Sequence, residues 1–247
     1  MDACVVIPAR YASSRLPGKP LVPLLGRPMI LWVAALSEAA VGRDRVFIAT
    51  DDERIRTAVE RGGYRVIMTD PGASTGTDRI AQAATALDFP IIVNVQGDEP
   101  LLDPADIVHC IELKRSCPGD IVNAYCEIGP GEDPTNVNIP KVVVSESGYL
   151  LYMSRSLVPG AKESARAPKR YLKQVCIYGF GKDDLKAFRG FGRKCEVERS
   201  EDIEILRFLE LGRRVRMFEA STGSLAVDVP SDVAGVEQAL RFRAERR

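Results

Sequence analysis

Residues 4–21 read CVVIPARYASSRLPGKPL, an uninterrupted apolar run followed by a loop that holds three basic residues. An apolar run without polar alternation is typical of a strand buried on both faces of a parallel sheet. The same pattern recurs at residues 45–50 (RVFIAT) and 90–96 (PIIVNVQ), with helical spacing between the runs. This alternation predicts an α/β fold, a mostly parallel sheet flanked by helices, in which ligands bind beyond the carboxyl ends of the strands.

The chain changes character after about residue 120. The segments 120–128 (DIVNAYCEI) and 139–154 (IPKVVVSESGYLLYMS) favour antiparallel strands, and the basic stretch 158–173 between strands has the pattern of a loop. We therefore expect one domain over residues 1–247, with a small antiparallel extension at about 120–195. A helix is predicted over about 200–211, with Glu201, Glu204 and Arg207 at helical spacing.

Composition excludes several classes of protein. Lys plus Arg and Asp plus Glu both number 34, so a globally basic nucleic-acid binder is not expected. No apolar run approaches the length of a membrane span, and the N-terminus lacks the basic region of a signal peptide, which favours a cytoplasmic protein. The six cysteines have no metal-ligand spacing, and the single histidine, His109, lies in a helical pattern, so histidine-dependent catalysis is not expected.

The opening loop has the composition of an anion site. Arg10, Arg15 and Lys19 follow the first predicted strand, and Gly18 permits close approach of a ligand to the backbone. A triphosphate brings about four negative charges, which two or three basic side chains can hold. The alternative is a solvated turn with charged residues. The position after the first strand favours the anion site.

Acidic residues end two other apolar runs. Asp98 and Glu99 follow the strand predicted at 90–96, and Asp228 ends the run LAVD at 225–228, so we expect both Asp98 and Asp228 at strand ends. Magnesium is usually bound by one or two carboxylates together with substrate phosphates, so Asp98 and Asp228 are candidate Mg²⁺ ligands. The alternative for Asp98 or Glu99 is that it caps the following turn.

These motifs together resemble one enzyme family. The stretches VVIPARYASSRLPGKPL, GRPMI, ATDDERI, TGTDRI and VNVQGDEPLLDP are similar to those of the 3-deoxy-manno-octulosonate (KDO) cytidylyltransferases, and the likeness extends to VDVPSDV near the C-terminus. The resemblance implies a nucleotide-diphospho-sugar transferase-like fold, usually paired as a homodimer through the extension. It also implies the reaction of CTP with an acid acceptor to give a CMP-linked product and pyrophosphate, with Mg²⁺ as cofactor.

The resemblance also implies roles for individual residues. Asp98 and Asp228 would ligate magnesium. The catalytic residues would be Arg10, Arg15, Lys19 and Asp98. The nucleotide would contact Ala9, Arg10, Ser13, Arg15, Lys19, Thr77, Arg79, Gln96 and Asp98. The acceptor would contact Gln96, Tyr152, Arg155, Gln174, Glu201 and Glu204.

The chain departs from the family in the acceptor region. Family members commonly have HQSGT where this chain has residues 73–77, a histidine where it has Gln174, and a Glu-Gln pair where it has Glu204 and Ile205. The segment 162–173 is basic where the family is acidic. Two acceptors are therefore open from the sequence. One is KDO or a related 2-keto-3-deoxy sugar acid, and the other is a smaller and more anionic compound such as phosphonoformate.

Two other functions remain open from the sequence. One is a nucleotide-binding relative without turnover, against which the presence of both candidate acids argues. The other is a sugar-1-phosphate nucleotidyltransferase, whose phosphate loop has a GxGxRL pattern that residues 8–20 do not match.

Overall fold

The computed structural model describes residues 2–12, 16–221 and 225–245. The strands are β1 (Ala3–Ala9), β2 (Pro23–Leu24), β3 (Arg27–Pro28), β4 (Val46–Thr50), β5 (Arg65–Met68), β6 (Ile91–Val95), β7 (Ile121–Glu127), β8 (Lys141–Val144), β9 (Leu150–Ser154), β10 (Leu172–Gly181) and β11 (Val215–Glu219). The helices are α1 (Met29–Val41), α2 (Glu53–Arg61), α3 (Gly76–Ala83), α4 (Pro104–Ser116), α5 (Lys182–Gly190), α6 (Glu196–Glu201), α7 (Ile205–Glu210) and α8 (Asp232–Glu245).

Nine strands of the described chain form one mixed sheet. Its main path runs β11-β7-β10-β6-β1-β4-β5, and β8 joins β10 to β9 at one side. Strand β1 is parallel to both β4 and β6, and β4 is parallel to β5. Strand β10 runs antiparallel to β6, β7 and β8, which forms the antiparallel extension. The predicted α/β class is confirmed.

The core lies on both faces of this sheet, as the uninterrupted apolar strands predict. All seven residues of β1 and all five of β4 and β6 are buried. Alternate residues of β1 enter opposite clusters: Val5 packs with helices α1, α2 and α4, whereas Val6 packs with α3, α5 and α7. Each buried aliphatic side chain contributes about 1.5–3 kcal/mol to the stability of the fold. Shifting a strand along its axis would expose some of these side chains, so the burial on both faces holds the strand ends in place.

The buried cysteine side chains belong to this core, whereas the His109 side chain is exposed. Cys4, Cys110 and Cys126 lie in the core clusters, and burial raises the pKa of the Cys126 thiol to about 11. His109 lies in α4, where its ring packs against Phe218 with centroids 4.7 Å apart. Among the described residues, no helix is long and apolar enough to cross a membrane.

Two local predictions are wrong. The helix expected over 200–211 is interrupted, because Asp202 adopts a left-handed conformation (φ 50°) between α6 and α7. Asp228 does not end a strand. It lies in a segment without regular secondary structure, whose Val227 donates its backbone N–H to the Asp98 carbonyl at 3.0 Å. That backbone bond and the packing of Val227 with Leu24 and Met29, rather than strand pairing, bring the second acid to the end of β6.

Candidate active site

A cleft of about 320 Å³ opens at the carboxyl ends of β1 and β6. This is the edge of the sheet at which the sequence predicted ligand binding. It collects side chains from distant parts of the chain. The lining consists of Pro8, Ala9, Arg10, Lys19, Pro20, Met29, Ala73, Ser74, Thr75, Gly76, Arg79, Gln96, Gly97, Asp98, Lys194, Asp202, Glu204 and Asp228.

The two predicted metal ligands meet in this cleft around one ammonium group. Lys19 Nζ lies 2.5 Å from Asp98 Oδ2 and 2.9 Å from Asp228 Oδ1. Burial disfavours the charged form of Lys19, but the two carboxylates outweigh that effect and raise the pKa of the side chain. The two acids therefore converge on a single positive centre, although they lie 130 residues apart in sequence.

The opening loop is folded back upon itself before Lys19. Gly18, with φ 70°, donates its N–H to the Tyr11 carbonyl at 2.9 Å, and Lys19 begins the short 3₁₀ helix that follows. The Tyr11 ring lies beneath the Arg54 guanidinium, 3.3 Å from ring centroid to Cζ. Arg10 is exposed at the end of β1 and lines the cleft beside Ala9. Two predicted nucleotide contacts, Ser13 and Arg15, lie outside the described residues.

The N-terminus of α3 forms another part of the cleft wall. The Glu204 carboxylate accepts the backbone N–H groups of Gly76 (3.0 Å) and Thr77 (2.8 Å), which have no partner within the helix. A Cβ atom on Gly76 would lie 3.5 Å from both Gln96 Nε2 and Glu204 Oε1. The predicted residues Gln96 and Glu204 are thus brought together, while the Thr77 side chain is buried and not part of the lining.

Arg79 contributes a buried cation to the same wall. It is 3 % exposed, lies 3.2 Å from Asp51 Oδ2 through Nη2, and donates from Nη1 to Thr69 Oγ1 at 2.5 Å. Its charge is therefore already paired within the protein.

Three predicted acceptor residues form a separate cluster between β9 and α6. Glu201 accepts hydrogen bonds from Ser154 Oγ (2.7 Å), the Arg155 backbone N–H (2.8 Å) and the Tyr152 hydroxyl (3.3 Å). The Arg155 guanidinium donates to the carbonyls of Glu201 and Asp202. Among the described residues, Tyr152, Arg155 and Glu201 are not part of the cleft lining, so their contact with an acceptor stays a prediction.

Gln174 also lies beside the cleft rather than in its lining. Its Nε2 donates to the Tyr178 hydroxyl (3.0 Å) and to Asn123 Oδ1 (3.3 Å). Asn123 in turn donates to the carbonyls of Val175 and Ile177, where the pairing of β10 with β7 is irregular. In the described structure Gln174 therefore supports this bulge, and its acceptor role stays a prediction.

The basic segment 162–173 does not supply charge to the cleft. Lys173 pairs with Glu132, and Arg170 lies 3.3 Å from Glu219. None of the described residues that line the cleft comes from this segment. Its positive charge is thus no argument for a small, highly anionic acceptor.

Two charged residues of the described cleft lining were missed by the sequence analysis. Lys194 precedes α6 and Asp202 follows it, and their side chains form an ion pair of 3.0 Å in the lining. Neither residue has a motif around it, and Asp202 faces the cleft only because the helix breaks there. The departures noted at residues 73–77 and at Glu204 and Ile205 pointed to this part of the site, since Ala73 to Gly76 and Glu204 also line the cleft.

The comparisons with known proteins identify the family of this chain. The sequence model of a cytidylyltransferase family matches residues 4–215, which include Asp98 but end before Asp228. The 8-amino-3,8-dideoxy-manno-octulosonate cytidylyltransferases of Shewanella baltica (strain OS195) and Shewanella oneidensis are each 38% identical over 250 residues, with 97% of this chain and 99% of the relative covered. A solved structure of CMP:2-keto-3-deoxy-manno-octonic acid synthetase complexed with CTP superposes with a TM-score of 0.89 at 34% identity, covering 98% of this chain and 99% of the other. The chain is a nucleotidyltransferase and belongs to the cytidylyltransferase family.

Proposed function

We propose that the protein transfers CMP from CTP to a KDO-like sugar acid and releases pyrophosphate, with Mg²⁺ as cofactor. The observation that carries the proposal is the convergence of Lys19, Asp98 and Asp228 in one cleft with Arg10 and Gln96. Basic side chains for a triphosphate and a pair of acids for a cation are what nucleotidyl transfer requires at one place.

The donor set fits magnesium. Asp98 and Asp228 already share one cation, the Lys19 ammonium, so their oxygens point to a common position. The described ranges contain no cluster of three or more Asp, Glu, His or Cys side chains that could hold a metal by themselves. Two carboxylates that rely on substrate phosphates to complete the coordination are the usual arrangement for Mg²⁺. When bound, the ion would neutralise charge that develops on the phosphates.

The chain's own residues would supply binding and orientation. Arg10 and Lys19 would hold the triphosphate, and Gln96 would orient the acceptor. The acceptor hydroxyl oxygen would then attack the α-phosphorus in line with the bond to the β-phosphate, which breaks as pyrophosphate leaves and the hydroxyl proton is released. Positioning of the two reactants and electrostatic stabilisation supply most of the rate in such a reaction. His109 lies on α4 against Phe218, so the scheme assigns it no role.

The acceptor class comes from the relatives. The Shewanella proteins are named for an 8-amino sugar acid and the solved structure for 2-keto-3-deoxy-manno-octonic acid. Both compounds are eight-carbon acids with several hydroxyl groups. We propose an acceptor of this class for the present chain, and we propose that the reaction takes place in the cytoplasm, where CTP is available.

A pyrophosphate-release assay tests the proposal. The purified protein is incubated with CTP, UTP or ATP and with KDO, 8-amino-3,8-dideoxy-manno-octulosonate or phosphonoformate, with and without Mg²⁺. We expect release only with CTP, a sugar acid and Mg²⁺ together. Asp98→Asn and Asp228→Asn should each lower kcat by about 100-fold or more, whereas Asp88→Asn, a matched change at an exposed aspartate that pairs with Lys182, should not. Full activity in Asp98→Asn, or release without any acceptor, would contradict the proposal.

The homodimer stays a prediction. The extension exposes Leu151 on β9, at 60%, and Val137, at 61%, as an interface of two copies would require. Sedimentation equilibrium of the wild-type protein and of Leu151→Asp distinguishes a dimer that the substitution dissociates from a monomer that it leaves unchanged.

A further inference from the structure

The rim of the cleft contains an ion pair that the proposed reaction has not used. Lys194 Nζ lies 3.0 Å from Asp202 Oδ1, and both residues line the cleft with Gln96 and Asp98. The Lys194 side chain is 33 % exposed and that of Asp202 is 72 % exposed. The pair belongs to the ends of α6, not to the loop that holds Arg10 and Lys19. It is therefore a second, independent source of charge at the site.

The backbone that presents Asp202 is held in an uncommon conformation. Asp202 has φ 50° and ψ 49°, the left-handed region that residues with a side chain seldom adopt. Arg155 stabilises this turn with two hydrogen bonds. Its Nε donates to the Glu201 carbonyl, and its Nη2 donates to the Asp202 carbonyl at 3.0 Å. Conformations of this kind persist where surrounding contacts enforce them, and they concentrate at functional sites.

Of the four basic side chains in the described lining, Lys194 is the one best placed to bind an acceptor. The lining contains Arg10, Lys19, Arg79 and Lys194. Lys19 lies between two carboxylates and Arg79 is paired with Asp51. Arg10 is on the loop assigned to the triphosphate. Among the described residues, Lys194 forms an ion pair with one largely exposed carboxylate. Such pairs are weak, so its ammonium can accept a second anion at little cost.

The proposed acceptors need such a group. A sugar acid brings one carboxylate into a cleft that already contains the triphosphate, Asp98, Asp228 and Glu204. Even with the proposed Mg²⁺, Arg10 and Lys19 in place, the triphosphate and these three carboxylates leave an excess of negative charge, so the acceptor carboxylate would be repelled without a further cation. The hydrogen bond from Lys194 lowers the pKa of Asp202, so the carboxylate that faces Lys194 is negatively charged at neutral pH.

We propose that Lys194 binds the carboxylate of the sugar-acid acceptor and that Asp202, fixed by Arg155, is a positioning residue that holds the Lys194 ammonium toward the cleft. This inference deepens the proposed function and rests on it. It assigns recognition of the acceptor carboxylate to the two ends of α6, and nucleotide recognition to the opening loop.

Steady-state kinetics with each substrate varied separately tests the assignment. Lys194→Met should raise KM for KDO or for 8-amino-3,8-dideoxy-manno-octulosonate about tenfold or more, because it removes a charged hydrogen bond, while KM for CTP changes less than about twofold. Lys194→Arg should recover most of the loss. Asp202→Asn should raise the acceptor KM by a smaller factor, and the double variant Lys194→Met/Asp202→Asn should be no worse than Lys194→Met alone. The matched control is Lys182→Met, at a lysine on α5 that is 45 % exposed and pairs with Asp88.

The outcomes separate this inference from the proposed function. An unchanged acceptor KM in Lys194→Met, or an equal rise of both KM values, overturns the role of Lys194 while leaving cytidylyl transfer intact. Additive effects in the double variant overturn the positioning role of Asp202. Wild-type protein that releases no pyrophosphate with any sugar acid contradicts the proposed function itself, and the inference falls with it. Circular dichroism of each variant verifies that the fold is retained.

Discussion

Replacing Arg207 with methionine should destabilise the protein strongly, because it would leave a buried carboxylate without its partner. Arg207 is 1% exposed and Glu198 is 0% exposed. The guanidinium makes a two-pronged contact with Glu198, with Nε to Oε2 and Nη2 to Oε1 both at 2.6 Å, and its Nη1 reaches Asp78 Oδ1 at 3.1 Å. The bonds join α6, α7 and α3, which are the helices that frame one wall of the cleft.

The magnitude follows from the burial of the pair. Removing one partner of a buried ion pair costs about 3–5 kcal/mol, since the remaining charge has neither water nor a counterion. For a chain of this size that corresponds to a fall in Tm of about 6–20 °C. The double variant Arg207→Met/Glu198→Leu removes both charges and should recover most of the stability. Recovery should be incomplete, because Glu198 also accepts the backbone N–H of Cys195 at 3.2 Å.

Urea denaturation and thermal unfolding followed by circular dichroism measure these differences. The matched control is Arg56→Met, because Arg56 is 42% exposed and its pairs with Glu53 and Glu60 lie on the surface of α2. Exposed pairs contribute about 0–1 kcal/mol, so this control should be close to wild type. If Arg207→Met lies within about 1 kcal/mol of wild type, or if the double variant is no more stable than Arg207→Met, the reasoning from burial is refuted.

Three further predictions concern the loop and the α6–α7 joint. Gly18→Ala should lower the unfolding free energy by about 1–2 kcal/mol and raise KM for CTP, because φ is +70° and a Cβ would lie 3.1 Å from the Tyr11 ring. The control is Gly26→Ala, where φ is +78° but a Cβ would meet nothing within 4 Å. Urea titrations of both variants separate the cost of backbone strain from the cost of the contact with Tyr11. Glu204→Ala should lose about 1–3 kcal/mol by leaving two N–H groups at the start of α3 without an acceptor, and an unchanged urea midpoint would argue against that role. Burial raises the pKa of Glu201, but hydrogen bonds from the end of β9 outweigh it and hold the pKa below its usual value of 4.5. Its stabilising contribution is therefore complete above about pH 5 and lost as the pH falls through the lowered pKa, so the stability difference between wild type and Glu201→Gln should shrink in urea titrations from pH 7 to pH 3.5.

The parallel part of the fold was predictable because its signal is local. Each strand of β1, β4 and β6 is buried on both faces, which requires an unbroken apolar run, and such a run is visible in the sequence. The ends of these strands then locate the cleft, since ligands bind beyond the carboxyl ends of strands in this class of sheet. Arg10, Gln96 and Asp98 follow predicted strands in the sequence, and all three line the cleft.

The other wall of the cleft could not be predicted in the same way. Residues 200–211 have helical spacing, and parts of this segment belong to α6 and α7. Arg155, however, donates to the carbonyls of Glu201 and Asp202 between the two helices, and these bonds favour the left-handed conformation of Asp202 over a continuous helix. That contact joins residues some 47 apart in sequence, so no local pattern reports it. Lys194 lies at the other end of α6 and pairs with Asp202 of this turn, a contact that no local pattern around Lys194 reports.

The two walls of the cleft therefore differ in how they are built. The wall that holds Lys19 and Asp98 is fixed by buried strands whose ends cannot move without disturbing the core. The wall that holds Lys194 and Asp202 depends on a turn and on an exposed ion pair, which can change at a small cost in stability. A substitution on this second wall alters the charge that faces the acceptor and leaves the site assigned to the triphosphate in place. This division explains, in physical terms, why the chain keeps the motifs of its family in the opening loop and departs from them where the acceptor is proposed to bind.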